Sequence, residues 1–307
     1  MKKRDLLSIA DLSSQEIGEV LRRSAEGKRG NARQGLAGKT VALLFEKPSL
    51  RTRVSFEVAV GHLGGHAVYL GREEVGLGTR EPVADVARVL SRYVSAIVAR
   101  VYAHKTLEDL AAHAAVPVIN ALSDREHPCQ ALADLLTVQE RLGRLEGVNI
   151  AFIGDGNNVA CSLALAAASE GASFAIASPA GYELPNRAFA LAARLAAQNG
   201  ATVRRVRHPQ EAAQGAHVLY TDVWVSMGQE AEREQRRRDF QGYQVNSDLL
   251  RLAHPGAVVM HPMPAHYGEE LASGMEEHPQ SAIYDQAENR LHAQKAVLAF
   301  LLEGASP

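Results

Sequence analysis

Short apolar, β-rich runs alternate with longer segments of helical spacing along most of the chain, and this alternation constrains the fold more than any other feature. The predicted strands are Thr40–Phe45, Ala67–Leu70, Ala96–Ala99, Val116–Ile119, Val148–Ile153, Ser173–Ala177, Thr202–Val206, His217–Tyr220 and Ala257–Met260. The main predicted helices are Arg51–Leu63, Pro82–Tyr93, Ala131–Leu142, Val159–Glu170, Arg187–Gln198 and Gln286–Leu302. Strands that alternate with helices are typical of βαβ units around a mostly parallel sheet.

The length of 307 residues suits two domains of roughly 150 residues each. We predict an α/β fold with two doubly wound parallel-sheet domains. The first domain is expected over residues 1–133 and the second over residues 134–285. The last helical segment, about residues 286–307, has no strand after it and is expected to pack back on the first domain.

The composition argues against several classes of protein. Lys and Arg number 33 and Asp and Glu 35, so the formal net charge is −2, which argues against a general nucleic-acid binder. The two cysteines are too few for a disulfide framework and suit a reducing compartment. Neither a signal peptide nor a membrane-length apolar run is evident, so we expect a cytoplasmic protein without a membrane partner. The charged run Glu230–Asp239 is interpreted as a solvent-facing helix.

The segment after the first predicted strand has the features of an anion site. Ser49 is a favourable N-cap, and the first helical turn after it exposes backbone N–H groups at the positive end of the helix dipole. Arg51 can add a bidentate guanidinium contact to a phosphate. Two arginines at a helix N-terminus are unfavourable for the helix unless an anion is bound there. The alternative is that Arg51 and Arg53 pair with local carboxylates such as Glu57.

Five motifs in order along the chain resemble those of the aspartate/ornithine carbamoyltransferases. Ser49–Glu57 is similar to the family signature S-x-R-T-R-x-S-F-E, and His127–Gln130 is similar to H-P-x-Q. Gly154–Asn158, Asp222–Gly228 and Ala287–Arg290 resemble motifs of the ornithine branch of that family. This resemblance implies two substrate sites and a role for individual residues in each.

The resemblance implies a carbamoyl phosphate site in the first domain. Its residues would be Ser49, Leu50, Arg51, Thr52, Arg100, His127, Gln130 and Arg290. Within this set, Thr52, Arg100, His127 and Arg290 would have catalytic roles. Leu50 replaces a small polar residue of the family but can still donate its backbone N–H. Arg53 is expected to brace the loop through a salt bridge.

The resemblance also implies an ornithine site in the second domain, formed by Asn158, Asp222, Ser226, Met227 and Pro262. Asp222 follows a predicted strand, where ligands bind in doubly wound folds, and can pair with an α-ammonium group. Apolar Met227 suits the methylene chain of ornithine. Pro262 is a departure, because the ornithine branch has H-C-L-P where this chain has His261–Pro264, and proline cannot supply the thiol.

The implied reaction transfers a carbamoyl group from carbamoyl phosphate to the δ-amine of L-ornithine, giving L-citrulline and phosphate without a metal or other cofactor. The resemblance further implies a homotrimer in which Gly71–Glu81, through Arg80, reaches a neighbour's site; an ordinary surface loop is the alternative. Because of Pro262, a related amine such as N-acetylornithine and a non-catalytic carbamoyl phosphate-binding paralogue stay open. A nicotinamide-dependent oxidoreductase is a weaker alternative, since Val159 occupies the third small position of the dinucleotide fingerprint.

Overall fold

The computed structural model describes residues 3–30, 35–226 and 228–302. The chain forms two compact units, the first comprising Met1–Ala133 and Asn289–Pro307 and the second Asp134–Glu288. The chain enters the second unit within helix α6 (Pro128–Leu142) and leaves it within helix α12 (Ile283–Leu302). Within the described residues, no helix is both long enough and apolar enough to cross a membrane.

The first unit is built around a parallel sheet of strand order β2-β1-β3-β4. Its strands are β1 (Thr40–Phe45), β2 (His66–Gly71), β3 (Ala96–Arg100) and β4 (Val118–Leu122). Its helices, besides parts of α6 and α12, are α1 (Ser14–Lys28), α2 (Leu50–His62), α3 (Arg72–Val75), α4 (Val83–Leu90) and α5 (His104–His113). The strand order reverses between β1 and β3, where Phe45 pairs with Arg100 at the carboxyl ends of both strands. In open α/β sheets, ligands bind at this switch point.

The second unit repeats the design with a parallel sheet of order β7-β6-β5-β8-β9. Its strands are β5 (Asn149–Ile153), β6 (Ser173–Ala177), β7 (Val203–Val206), β8 (Val218–Thr221) and β9 (Val258–Met260). Its helices are α7 (Asn158–Ser169), α8 (Asn186–Gln198), α9 (Pro209–Ala213), α10 (Arg233–Asp239) and α11 (Ser247–Leu250). The switch point lies between β5 and β8, where Ile153 pairs with Thr221.

The predicted fold class is confirmed: both sheets are parallel and covered by helices, and α12 from Asn289 onward belongs to the first unit. Every predicted strand is present, with ends displaced by at most three residues. Helices α1 and α5 were not predicted. A local signal for α1 exists, because Ser13 and Glu16 form a reciprocal capping box at its start.

Candidate active site

The N-terminus of α2 lies directly after β1, at the switch point of the first sheet. Ser49 is its N-cap, as predicted, with an extended backbone and a side-chain oxygen that accepts a hydrogen bond from the Thr52 N–H (3.3 Å). The Leu50 side chain is 75% exposed, so it contributes only its backbone to this turn. The arrangement leaves a helix N-terminus at the edge of the sheet where a phosphate is well accommodated.

Positive charge is concentrated beside this turn. Arg100 at the end of β3 and Arg290 on α12 are buried, and Arg51 is half-buried. Burial lowers the pKa of Arg100 to about 10, and the charges of Arg290 and Arg51 act in the same direction. Within the described ranges, Arg51 forms no ion pair and Arg100 Nε has no hydrogen-bond partner. Mutually repelling guanidinium groups in this setting favour a bound anion.

The last helix contributes to the same cluster. Arg290 Nη2 donates a hydrogen bond to the Thr52 hydroxyl, although 238 residues separate the two in the chain. Thr52 is fully buried. The structure therefore brings together four predicted residues from α2, β3 and α12: Arg51, Thr52, Arg100 and Arg290. The contact between Arg290 and Thr52 has no signal in the local sequence.

Arg53 pairs with a local carboxylate, which was the alternative to anion binding for both Arg51 and Arg53. Its Nε donates to Glu57 Oε1 at 2.9 Å, and its guanidinium lies 3.8 Å from the centroid of the Tyr69 ring. The predicted brace is thus present for Arg53. Arg51, two positions earlier, pairs with no carboxylate of the residues that the structure describes, and it is the arginine that remains for an anion.

His127 and Gln130 stand at the start of α6 and are both buried. The Gln130 N–H donates to the His127 carbonyl at 3.0 Å, which fixes this turn. Burial lowers the pKa of His127 well below its usual range, and the charges of Arg290 and Arg100 act in the same direction. His127 is consequently neutral near pH 7 and has one ring N–H to donate.

In the second unit, Asp222 directly follows β8 at the switch point and is buried. Its Oδ1 accepts from the Val223 N–H and its Oδ2 from Asn157 Nδ2, each at 2.8 Å. Burial raises the pKa of Asp222, while these hydrogen bonds oppose the rise. A buried carboxylate at this position suits a cationic ligand group.

The partner of Asp222 was not predicted. Asn157 caps α7, because its Oδ1 accepts from the Val159 and Ala160 N–H groups (3.0 and 3.1 Å). The opposite end of the same amide binds Asp222. Asn158 is half-buried as the first residue of α7, and its Oδ1 also accepts from the Val159 N–H.

The other predicted ornithine-site residues differ in position. Ser226 is half-buried, and its N–H donates to Gln229 Oε1 at 3.1 Å. Met227 lies outside the described residues. Pro262 is buried in the turn after β9, the strand that neighbours β8. Asp222 and the turn with Pro262 therefore follow adjacent strands at one edge of the sheet.

The charged run Glu230–Asp239 is helical, but the prediction of a solvent-facing helix is wrong for one side chain. Arg236 is 5% exposed, and its Nη1 donates to Asp155 Oδ2 at 2.8 Å and to the Trp224 carbonyl at 2.9 Å. The guanidinium thereby joins α10 to the turn after β5. Burial of Asp155 explains why an arginine in a polar run is drawn inward.

The segment Gly71–Glu81 contains more regular structure than the projecting loop that was predicted. It includes the one-turn helix α3, a left-handed Gly76, and a bridge between Leu77 and Glu81. Arg80 Nη1 donates to the Glu74 carbonyl at 3.2 Å, and its side chain is largely exposed. Its predicted reach to a neighbour's site stays a prediction.

Gly156, the second glycine of the Gly154–Gly156 turn, is required by the packing of the backbone around it. A Cβ on Gly156 would lie 2.3 Å from the Leu184 backbone nitrogen, so the protein's own backbone requires glycine here.

Among the described residues, His266, Glu269 and Glu270 have potential metal ligands within 4.8 Å of one another. Glu269 pairs with Arg237, and Glu270 Oε1 accepts from His261 Nε2 and the His266 N–H. His266 Nδ1 and Glu270 Oε2 have no hydrogen-bond partner among the described residues.

Two models of one protein family match the two parts of the chain. Residues 4–140 match the aspartate/ornithine carbamoyltransferase carbamoyl-P binding domain, and residues 146–301 match the Asp/Orn binding domain of the same family. An ornithine carbamoyltransferase of Acidothermus cellulolyticus is 54% identical over 98% of this chain and 97% of its own length. An anabolic ornithine carbamoyltransferase of Pyrococcus furiosus is 51% identical over 98% of this chain and 97% of its own.

A solved structure of ornithine carbamoyltransferase from Pyrococcus furiosus superposes with a TM-score of 0.95 at 51% identity, covering 99% of this chain and 98% of that one. Both family models together span nearly the whole chain. The chain therefore belongs to the aspartate/ornithine carbamoyltransferase family.

Proposed function

We propose that this protein transfers the carbamoyl group of carbamoyl phosphate to the δ-amine of L-ornithine, with L-citrulline and phosphate as products. The observation that carries the proposal is the group of guanidiniums beside the open N-terminus of α2, which matches a dianionic phosphate. The names of its relatives support ornithine as the acceptor. The anabolic relative supports a role in arginine biosynthesis.

The first unit, Met1–Ala133 and Asn289–Pro307, is the proposed carbamoyl phosphate-binding unit, which was predicted over 1–133 and about 286–307. The backbone N–H groups from Ser49 to Arg51 and the Arg51 guanidinium would hold the phosphate, beside the Thr52 hydroxyl. Arg100 would bridge the phosphate and the carbonyl oxygen, and Arg290 would add charge on the same side. Gln130 would accept from the carbamoyl NH2 group through its amide oxygen.

The chemical step is attack of the neutral δ-amine on the carbamoyl carbon, which forms a tetrahedral oxyanion before phosphate leaves. The free amine has a pKa near ~10.4, so it must lose a proton before it attacks. Thr52, Arg100 and neutral His127 would donate to the oxyanion as a preorganised set. The departing phosphate is the proposed acceptor of the amine proton, and no protein general base is required.

The second unit, Asp134–Glu288, is the proposed ornithine-binding unit, which was predicted over 134–285. Asp222 would pair with the α-ammonium group, and Asn157 holds that carboxylate in place. Asn158, Ser226 and Met227 would orient the α-carboxylate and the side chain. Pro262 has no N–H and no thiol, so the turn around it can offer only backbone carbonyls and apolar surface to the amine.

Direct assay tests the proposed function. Purified protein is incubated with carbamoyl phosphate and, in separate reactions, L-ornithine, N-acetylornithine, putrescine or L-aspartate, and the carbamoylated product and phosphate are quantified. Citrulline should form with a kcat/KM at least about tenfold above that of the other amines, a difference of ~1.4 kcal/mol. Preference for N-acetylornithine would reassign the acceptor, and carbamoyl phosphate binding without any product would indicate a non-catalytic paralogue.

We also propose a cytoplasmic homotrimer. Both cysteines are buried and neither forms a disulfide, which is compatible with a reducing compartment. Leu50, Val54 and Val58 form an exposed apolar stripe on α2 (75%, 48% and 36% exposed). Val68 on the edge strand β2 is 37% exposed. An apolar face of this kind beside an open sheet edge suits contact with another copy, and Arg80 on the adjoining segment would then reach the neighbouring site.

Substitution of Val54 by Asp is expected to lower the oligomeric state, because it places a charge in the middle of the apolar stripe on α2. Sedimentation velocity on the full chain measures this change. Val89→Asp is the control, since Val89 is equally exposed (48%) but lies on α4, outside the stripe. A monomeric unsubstituted protein, or a Val54→Asp variant that stays trimeric, would contradict the proposed interface.

A further inference from the structure

Glu270 is a fully buried carboxylate that the proposed chemistry does not use. Its Oε1 accepts hydrogen bonds from His261 Nε2 (3.1 Å) and from the His266 backbone N–H (2.6 Å). His261 is also fully buried, and its Nδ1 accepts from the Met263 N–H at 2.9 Å. With Nδ1 as an acceptor, the ring proton must be on Nε2, so His261 donates to Glu270.

These contacts act on the turn that contains Pro262. Met263 has a φ of 57°, a left-handed conformation that a non-glycine residue adopts only when its surroundings enforce it. The His261 ring holds the Met263 N–H, and the His261 backbone N–H donates to the buried Gln286 Oε1 at 2.8 Å. Glu270 in turn sets the orientation of the His261 ring.

Glu270 also lies close enough to Asp222, the proposed partner of the ornithine α-ammonium group, for its charge to act on that carboxylate. Burial has the largest effect on the pKa of Asp222 and raises it, and the charge of Glu270 acts in the same direction. Pro262 stands where the ornithine branch has a cysteine, so this turn has no thiol to offer the amine. The position of its backbone is therefore expected to affect ornithine binding strongly.

We propose that Glu270 is a positioning residue for ornithine, which acts through His261 to hold the His261–Pro264 turn in its binding conformation. Neither Glu270 nor His261 needs to touch the substrate. The inference rests on the proposed function, since ornithine is taken as the acceptor bound beside this turn. It predicts that loss of the Glu270–His261 contact weakens ornithine binding and leaves the carbamoyl phosphate site of the first unit unaffected.

Glu270→Ala in the full chain is expected to raise the KM for ornithine by about tenfold, equivalent to ~1.4 kcal/mol, which is the scale of a hydrogen bond to a charged group. The KM for carbamoyl phosphate should change by less than about twofold. A merely structural role would not separate the two constants. Glu269→Ala is the matched control, because Glu269 is the adjacent carboxylate and pairs with Arg237 rather than with His261.

Glu270→Gln should restore the ornithine KM to within about twofold of the unsubstituted protein. Its amide oxygen can accept from His261 and from the His266 N–H. Its NH2 group would replace Oε2, which has no hydrogen-bond partner among the described residues and lies 3.7 Å from His266 Nδ1. The amide could then donate to that nitrogen.

His261→Asn provides a second route if Glu270→Ala does not fold. The asparagine oxygen can still accept from the Met263 N–H, but the side chain is too short to reach Glu270. The ornithine KM should rise as in Glu270→Ala, and the double variant should be no worse than either single one, because both remove the same contact.

Several outcomes would overturn the inference: an unchanged ornithine KM in Glu270→Ala or in His261→Asn, a parallel rise of both Michaelis constants, or an equal defect in Glu270→Gln. Failure of the proposed function is separate, since it appears as absence of citrulline from the unsubstituted protein. Citrulline formation by the unsubstituted protein with a normal Glu270→Ala variant rejects the positioning role alone.

Discussion

Arg51→Ala is expected to lower kcat/KM for carbamoyl phosphate by about 10²–10³-fold, comparable to loss of one preorganised donor in other acyl-transfer sites. The Arg51 guanidinium is half-buried, its pKa is lowered by burial, and no carboxylate among the described residues pairs with it. The phosphate is therefore its proposed counter-charge. Steady-state kinetics with carbamoyl phosphate varied at saturating ornithine measures the loss.

The same substitution should leave the melting temperature of the ligand-free protein unchanged or higher. The charge of Arg51 helps to lower the pKa of Arg100, so removing it relieves a repulsion that only a bound anion offsets. Addition of inorganic phosphate should then stabilise the unsubstituted protein more than the variant. A variant that melts lower and gains equally from phosphate would contradict this assignment.

Arg53→Ala is the matched control on the same helix turn. Arg53 is exposed and already paired with Glu57, and exposed ion pairs contribute little to stability. Its loss should change carbamoyl phosphate kinetics by only a few-fold. A defect in Arg53→Ala as large as that in Arg51→Ala would mean that the general charge of the loop, rather than the Arg51 contact, supports binding.

Arg236→Met is expected to lower the free energy of unfolding of the second unit by about 3–5 kcal/mol at neutral pH, the usual cost of leaving a buried charge without its partner. Arg236 and Asp155 are both buried and joined at 2.8 Å. Burial raises the pKa of Asp155, and Arg236 opposes that rise. Without the arginine, the Asp155 carboxylate has lost its charge-assisted donor.

The loss should depend on pH in a defined direction. In the variant, the pKa of Asp155 is higher still in the folded state than its unfolded value of about 3.9, so the folded protein binds the extra proton. Stability therefore falls as pH rises from about 3.9 through the folded pKa, and the deficit shrinks on acidification toward that range. Urea denaturation followed by tryptophan fluorescence reports on this unit, because Trp224 lies in it.

Arg237→Ala is the control for Arg236→Met. Arg237 is the next residue of α10, but its guanidinium is exposed and pairs with Glu234 and Glu269 at the surface. It should lose only a small part of the stability lost by Arg236→Met, at any pH. Equal losses in the two variants would show that helix charge, and not the buried pair with Asp155, stabilises this segment.

Arg51 and Arg236 also mark how far local sequence rules reach. The strand after Lys39, the N-cap at Ser49 and the first turn of α2 depend on residues within a few positions of one another, and all three were predicted. Arg236 was misassigned to solvent because it lies in a run of mostly charged residues, and such runs usually face solvent. Its partner, Asp155, is 81 residues away.

The proposed ornithine site likewise contains one residue that local sequence predicted and contacts that it did not. Asp222 was placed by a local rule, as a carboxylate after a strand of a parallel sheet. Its hydrogen bond from Asn157 and the contact of Glu270 with His261 were not predicted, since an asparagine before a helix and a glutamate in a turn are each common without any such role.

By itself, the sequence determined the strands, most of the longer helices, the two parallel sheets and the helix start at Ser49, because these depend on hydrophobic periodicity and local hydrogen bonding. Only the tertiary structure decided that Arg53 is paired while Arg51 is not, that Arg236 is buried, and that Arg290 reaches Thr52. The physical reason is that charge pairing and desolvation depend on distances through space and on burial, which chain packing sets and residue spacing does not.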